Sequence, residues 1–238
     1  MPQPLVNIHT NVFDVSLSFP GESREYVHTI AERLVRELGP HRVFYDNFYK
    51  SQLAIPNLDT ALQTLYRDRS RLLVAFLSAS YSQKMWCGIE FKAIRAILNN
   101  REDQRVMYVR CDDGDVEGVF SQDGFIDAKS HSPEQVADFI VERVQLLDPL
   151  CDTTWEFLGA NDRKINTIRF LKNGRAECES RYGEAIWRRL DEHSILFGYG
   201  VESSFIVFRT DEVGSGRMSG YHYSGKKRHI VKVSNEKV

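Results

Sequence analysis

The chain has 238 residues, enough for one large domain or two modest ones. With 42% hydrophobic and 27% charged residues and a formal net charge of -2, it can build a core and has no general electrostatic pull toward nucleic acid or anionic membrane. No basic-then-apolar leader opens it and no apolar run reaches the roughly 20 residues that cross a bilayer, so a cytoplasmic protein without a membrane partner is expected.

A first strand is expected at residues 12–19, ended by the turn Pro20-Gly21-Glu22. Apolar residues at 26, 27, 30, 31, 34, 35 and 38 mark a helix over 23–38, stopped by Gly39-Pro40. A short second strand at 42–45 leads to Asp46 and a long loop at 47–57 that holds Tyr49, Lys50 and Pro56. Asn57 is expected to cap the helix carrying Leu58, Ala61, Leu62 and Leu65. The third strand, 71–77, is a nearly unbroken apolar run, as a central parallel strand covered on both faces requires. A helix from Trp86 to about Leu98, a fourth strand at 105–110 and a short fifth strand at 125–127 follow. Ser132, Pro133 and Gln135 give the last helix a capping box and a proline in its first turn. Strands alternating with helices imply an α/β domain with a flavodoxin-like five-stranded parallel sheet.

Asp148-Pro149 divides the chain into domains at 1–148 and 149–238. Beyond that point helical periodicity nearly vanishes. Strands are expected at 155–158, 165–171, 203–209, 216–223 and 228–233, with two more short ones near 184–190 and 195–197. Asn173-Gly174 is a hairpin signal. A small antiparallel β domain follows from this, either a barrel or a curled sheet. Trp155, Phe157, Trp187, Phe197, Phe205 and Phe208 are its expected core, with a small pocket or a partner surface as the other reading. Lys226-Lys227-Arg228 reads as a solvated hairpin tip. His193, His222 and His229 form no metal signature, and the four cysteines, Cys87, Cys111, Cys151 and Cys178, have no metal-knuckle spacing, so thiols and no metal are expected.

No glycine-rich phosphate loop follows the first strand, because Phe19-Pro20-Gly21-Glu22-Ser23 has a single glycine. Ligands of such sheets still bind beyond the carboxyl ends of the strands. That edge is expected to collect Phe19, Pro20, Asp46, Ser78, the 47–57 loop and the start of the Trp86 helix. Glu90 stands there in an apolar setting, four residues after Trp86 and therefore on the same helical face. One reading is an ion pair with Arg95, Arg24 or Lys50. The other is chemistry. Cleavage of the N-glycosidic bond of NAD expels neutral nicotinamide and builds positive charge on the ribose, which a single carboxylate can stabilise while it holds the ribose hydroxyls. O-glycosidases need a second carboxyl to protonate the leaving oxygen, and this reaction does not. Trp86, Phe19 or Tyr49 would stack on nicotinamide or adenine.

Residues 10–147 resemble a TIR (Toll/interleukin-1 receptor) domain of the bacterial kind. Phe13-Asp14-Val15-Ser16-Leu17-Ser18-Phe19 is similar to the family's first box, and Tyr45-Asp46 with the 47–57 segment to its second strand and BB loop. Leu77-Ser78, Tyr81 and Trp86-Cys87-x-x-Glu90 resemble the active-site stretch of NAD-consuming members, and 119–127 with the Ser132-Pro133 helix resembles the closing segment. Gln52-Leu53-Ala54-Ile55-Pro56 lacks the usual BB-loop glycine, and Pro20-Gly21 stands where some of these enzymes carry arginines. The second half is read without a family resemblance.

The resemblance implies that Glu90 is catalytic and that Phe19, Pro20, Gly21, Arg24, Asp46, Tyr49, Lys50, Ser78 and Trp86 line the site, with phosphate contacts from backbone amides, Arg24 or Lys50. It implies NAD as the substrate with no separate cofactor. The products would be nicotinamide with ADP-ribose or a cyclic ADP-ribose. A homo-oligomer or filament through TIR–TIR contacts, activated in bacterial defence, is implied as well. The β domain would be a sensor, a partner-binding module or an assembly element with an unknown ligand. The competing expectation is a non-enzymatic adaptor that only recruits other TIR domains. A nucleotide-processing transferase of related fold is a third, disfavoured by the opening box.

Overall fold

A computed structural model of the protein describes residues 6–78, 93–94, 96–100, 102–113, 124–171, 174–179, 185–191, 194–199, 205–210, 216–222 and 224–233. The chain separates into two compact units, Met1–Leu147 and Asp148–Val238. Among the described residues no helix is long and apolar enough to cross a membrane.

The first unit is a five-stranded sheet in the order β2-β1-β3-β4-β5, with every neighbouring pair parallel. Its strands are β1 (Phe13–Ser18), β2 (Val43–Phe44), β3 (Ser70–Leu77), β4 (Val106–Arg110) and β5 (Ile126–Asp127). All six residues of β1 are buried, the pattern of a strand covered on both faces. On one face Val15, Leu17, Leu72, Val74, Phe76 and Val109 pack against α1 (Arg24–Leu38) and the Pro133–Leu147 helix. On the other, Phe13, Phe44, Leu73, Ala75 and Leu77 pack with Ile8, Leu62 and Leu65 of the Leu58–Asp68 helix, and Ala93, Ile94 and Ile97.

The capping box forms as the sequence requires. Ser132 N–H donates to Gln135 Oε1 at 2.9 Å, and Gln135 N–H donates back to Ser132 Oγ at 3.3 Å. Asp14 of the opening box is a structural anion. It is 5% exposed, ion-paired with the buried Arg42, and 3.6 Å from Arg71.

Two local expectations are corrected. Residues 47–57 are not a plain loop: a 3-10 turn at Asp46–Phe48 and α2 (Lys50–Leu53) occupy the first half. Tyr49 anchors that half in the core, and Gln52 ties it to the chain start. Gln52 Oε1 accepts from Ile8 N–H at 3.0 Å, and Gln52 Nε2 donates to Val6 O at 2.9 Å. Asn57 precedes α3 (Leu58–Asp68) with φ +56° and makes no side-chain cap. Its left-handed backbone, which asparagine tolerates, replaces the extended conformation that a capping side chain needs. The last helix of this unit, Pro133–Leu147, is α4. Of the expected helix from Trp86 to Leu98, residues 93–94 and 96–99 are described and helical.

The second unit is a closed antiparallel barrel of eight strands, β10-β11-β12-β13-β6-β7-β8-β9 around the ring. They are β6 (Thr154–Leu158), β7 (Lys164–Phe170), β8 (Arg175–Cys178), β9 (Ala185–Asp191), β10 (Ser194–Tyr199), β11 (Phe205–Thr210), β12 (Arg217–Tyr221) and β13 (Lys227–Lys232). Closure removes the free sheet edges that a curled sheet would expose. Trp155, Phe157, Phe170, Trp187, Phe197 and Phe208 fill it, joined by Ile168, Ile195 and Ile230. Both indoles are satisfied, Trp155 Nε1 by Thr153 Oγ1 at 2.8 Å and Trp187 Nε1 by Leu171 O at 2.9 Å. A Cβ at Gly220 would meet Val207 O at 2.3 Å, so only glycine fits where β12 approaches β11. Arg189 grips Asp148 through Nε at 2.5 Å and Nη2 at 2.6 Å, and both side chains are buried. Lys226 and Lys227 are exposed at the β12–β13 hairpin, as a solvated tip requires.

Candidate functional site

Because all five strands of the sheet run the same way, their carboxyl ends open on one edge. The order 2-1-3-4-5 places the topological switch between β1 and β3, where ligands of open α/β sheets enter. The residues just past β1, β2, β3 and β4 therefore surround one crevice.

Phe19 and Pro20 follow β1. Phe19 stacks on Tyr45 with ring centroids 5.4 Å apart and planes 28° from parallel. Pro20 is buried and Gly21 exposed, opening a 3-10 turn, Gly21–Ser23, that runs into α1. Arg24, the first residue of α1, lies with its guanidinium 5.0 Å from the Phe19 ring centroid. The same guanidinium makes a fork-on-fork pair with Asp46, Nη1 to Oδ1 at 2.8 Å and Nη2 to Oδ2 at 2.9 Å. The bond to Asp46 raises the Arg24 pKa from its ordinary value. Burial, helped by the Asp46 charge, pushes the Tyr45 hydroxyl up. Arg24, Asp46 and Phe19 are thus one preassembled group of cation, carboxylate and ring, made from the ends of β1 and β2.

Ser78 follows β3 and is 3% exposed. Its hydroxyl donates to Glu22 Oε1 at 3.2 Å, so a serine past β3 and a carboxylate past β1 join across the switch point. Cys111, past β4, completes this side. Burial pushes its thiol pKa up, opposed by a hydrogen bond with Ser23.

The structure does not bring every expected residue to the edge. Tyr49 is a core side chain, 1% exposed, stacked on Phe44 and edge-on to Phe13. Its ring is committed to packing and has no face left for a ligand, which corrects its assignment as a lining residue. Burial raises its pKa strongly, and its hydroxyl has no hydrogen-bond partner among the described residues. Lys50 is exposed at the start of α2. Trp86 and Glu90 lie outside the described residues. Glu22 is the residue that sequence reasoning passed over. It looked like part of a turn, although its place two positions past Pro20 on the switch-point loop could have marked it. Among the described residues no group of three or more His, Cys, Asp or Glu is placed to hold a metal ion.

Comparison with known proteins adds three findings. The family model for the TIR domain matches residues 15–141. A curated protein of Aquimarina amphilecti, the 3' cyclic ADP-D-ribose synthase AaTIR, is 30% identical over 147 residues, which are 62% of this chain and 44% of that protein. The chain thus spans less than half the length of that relative. The crystal structure of the TIR domain of the Toll-related receptor TRR-2 from Hydra magnipapillata is similar with 14% identity and a TM-score of 0.41. That similarity covers 54% of this chain and 98% of that one.

Proposed function

As this chain belongs to the TIR domain family, we propose that its first unit cleaves the nicotinamide–ribose bond of NAD, with Glu90 as the catalytic carboxylate. The observation that carries the reading is the similarity to a 3' cyclic ADP-D-ribose synthase over 147 residues. The crevice supports it with a cation at Arg24, backed by the Phe19 ring, past β1 and a buried serine, Ser78, past β3.

In this mechanism the C–N glycosidic bond breaks and its electron pair leaves with nicotinamide. The ribosyl cation that remains is stabilised by the Glu90 carboxylate. Water then gives ADP-ribose, or a nucleophile within the same molecule gives a cyclic ADP-ribose. Arg24 takes the diphosphate through the N–H groups that its pair with Asp46 leaves open, and Phe19, stacked on Tyr45, backs that guanidinium. The reaction runs in an assembly of identical chains joined through their TIR units, serving bacterial defence in the cytoplasm. The barrel acts as a sensing, partner-binding or assembly element through its outer surface, since aromatic side chains fill its interior.

The test is incubation of NAD with the full chain at high protein concentration, followed by chromatography of the products. Nicotinamide together with ADP-ribose or a cyclic isomer is expected. A protein that forms its assemblies and leaves NAD intact would favour a purely recruiting TIR domain.

A further inference from the structure

The Glu22–Ser78 bond joins side chains across the switch point itself, and the cleavage step gives Glu22 no role. Ser78 is almost fully buried and donates to the carboxylate, while Glu22 is exposed. A carboxylate at this place repels phosphate and attracts hydrogen-bond donors. Two residues on, the Arg24 guanidinium, held by Asp46 through Nη1 and Nη2, offers the opposite preference through its remaining N–H groups. The crevice is thereby divided into a donor-seeking point at Glu22 and an anion-seeking point at Arg24. A ligand carrying both a vicinal diol and a diphosphate matches this division, because a carboxylate accepts from two adjacent hydroxyls and so fixes the sugar.

We propose that Glu22, positioned by Ser78 across the β1–β3 crevice, is a ribose-diol acceptor, a second carboxylate of the site that binds sugar hydroxyls. This rests on the reading of the crevice as an NAD site. The competing role for Glu22 is purely structural: an acid at the start of α1 favours the helix dipole. That role would affect melting temperature and would be blind to the ligand's hydroxyls.

The experiment measures binding by calorimetry with the full chain carrying Glu90→Gln, to stop turnover, with and without Glu22→Gln. The probes are NAD and two analogues, each lacking the 2′ and 3′ hydroxyls of one ribose. Glu22→Gln should weaken NAD binding roughly tenfold to a hundredfold, the worth of a hydrogen bond to a charged group. It should leave unchanged the binding of one analogue, the one whose missing diol is the group that Glu22 holds. Ser78→Ala should give a smaller loss with the same analogue dependence. Equal weakening for all three probes, or none for NAD, overturns the proposal while leaving the NAD reading intact. Failure of NAD to bind the Glu90→Gln chain and the wild-type chain alike overturns the NAD reading and the proposal with it.

Discussion

The sheet unit and the barrel both bury large aromatic clusters, yet they dispose of their strand ends in opposite ways. In the sheet every strand points the same way, so polar and charged groups accumulate past β1, β2, β3 and β4 at one edge: Glu22, Arg24, Asp46, Ser78 and Cys111. In the barrel neighbouring strands alternate in direction, so strand starts and strand ends are mixed at each rim and no edge gathers one kind. Its interior is filled by Trp155, Phe157, Phe170, Trp187, Phe197 and Phe208. Parallel topology concentrates chemistry, and a small filled barrel excludes it from its interior.

The same contrast separates two kinds of arginine–carboxylate pair. Arg189–Asp148 is buried in the barrel unit, whereas Arg24–Asp46 is 46% and 37% exposed at the crevice. Breaking the buried pair should have the larger effect on stability. Arg189→Met removes the buried cation that grips Asp148 through two bonds and is expected to cost the barrel about 3–5 kcal/mol. Thermal melting should show the barrel transition moving down while that of the sheet unit stays. A single transition that moves as one would contradict the separation of the units.

Arg24→Ala should cost under about 1 kcal/mol of stability, because exposed pairs contribute little. Its effect belongs in binding, with KM for NAD rising about tenfold for loss of a phosphate-pairing cation and kcat changing less. A large drop in melting temperature would instead make the pair structural. Smaller still is Tyr49→Phe. Removing a buried hydroxyl without a described partner should leave stability unchanged or raise it by about 1 kcal/mol, with KM unaltered. A raised KM would return Tyr49 to the ligand site.

The most limited effect is at alkaline pH. Burial, aided by the nearby acidic groups Cys111, Glu134 and Asp127, pushes the Tyr26 pKa up to about 12, and its hydroxyl donates to His131 O at 3.0 Å. The unfolded chain releases that proton near the ordinary tyrosine value of about 10, before the folded chain does. Tyr26 therefore contributes stability that is full below that value and is lost as pH rises toward about 12. Tyr26→Phe should flatten this part of the stability-against-pH curve in chemical denaturation. An unchanged slope would mean that the tyrosine titrates alike in both states.

Much of the fold was legible because it depends on periodicity and punctuation. The nearly unbroken apolar run of β3 announced a doubly covered strand, and Ser132-Pro133-x-Gln135 announced the start of α4. Barrel closure was not decided by any local signal, since it is made by the pairing of β13 with β6, the last strand with the first, which only tertiary packing brings together. The place of Phe19, Asp46 and Ser78 at the carboxyl edge of the sheet was legible from their positions at strand ends. Tyr49 was misplaced because a tyrosine in an apparent loop looks available, whereas α2 turns it into the core. Glu22 was missed because its importance comes from Ser78, which is distant in sequence and meets it only across the crevice.

The most direct test of the account is nicotinamide release by the full chain and by Glu90→Gln, compared at equal concentration after both show the same melting temperature. The substitution keeps the shape and removes the charge. The rate is predicted to fall by roughly two to three orders of magnitude, as loss of a group that stabilises transition-state charge entails. Equal release by the two proteins would contradict the assignment of Glu90 as the carboxylate that stabilises the ribosyl cation.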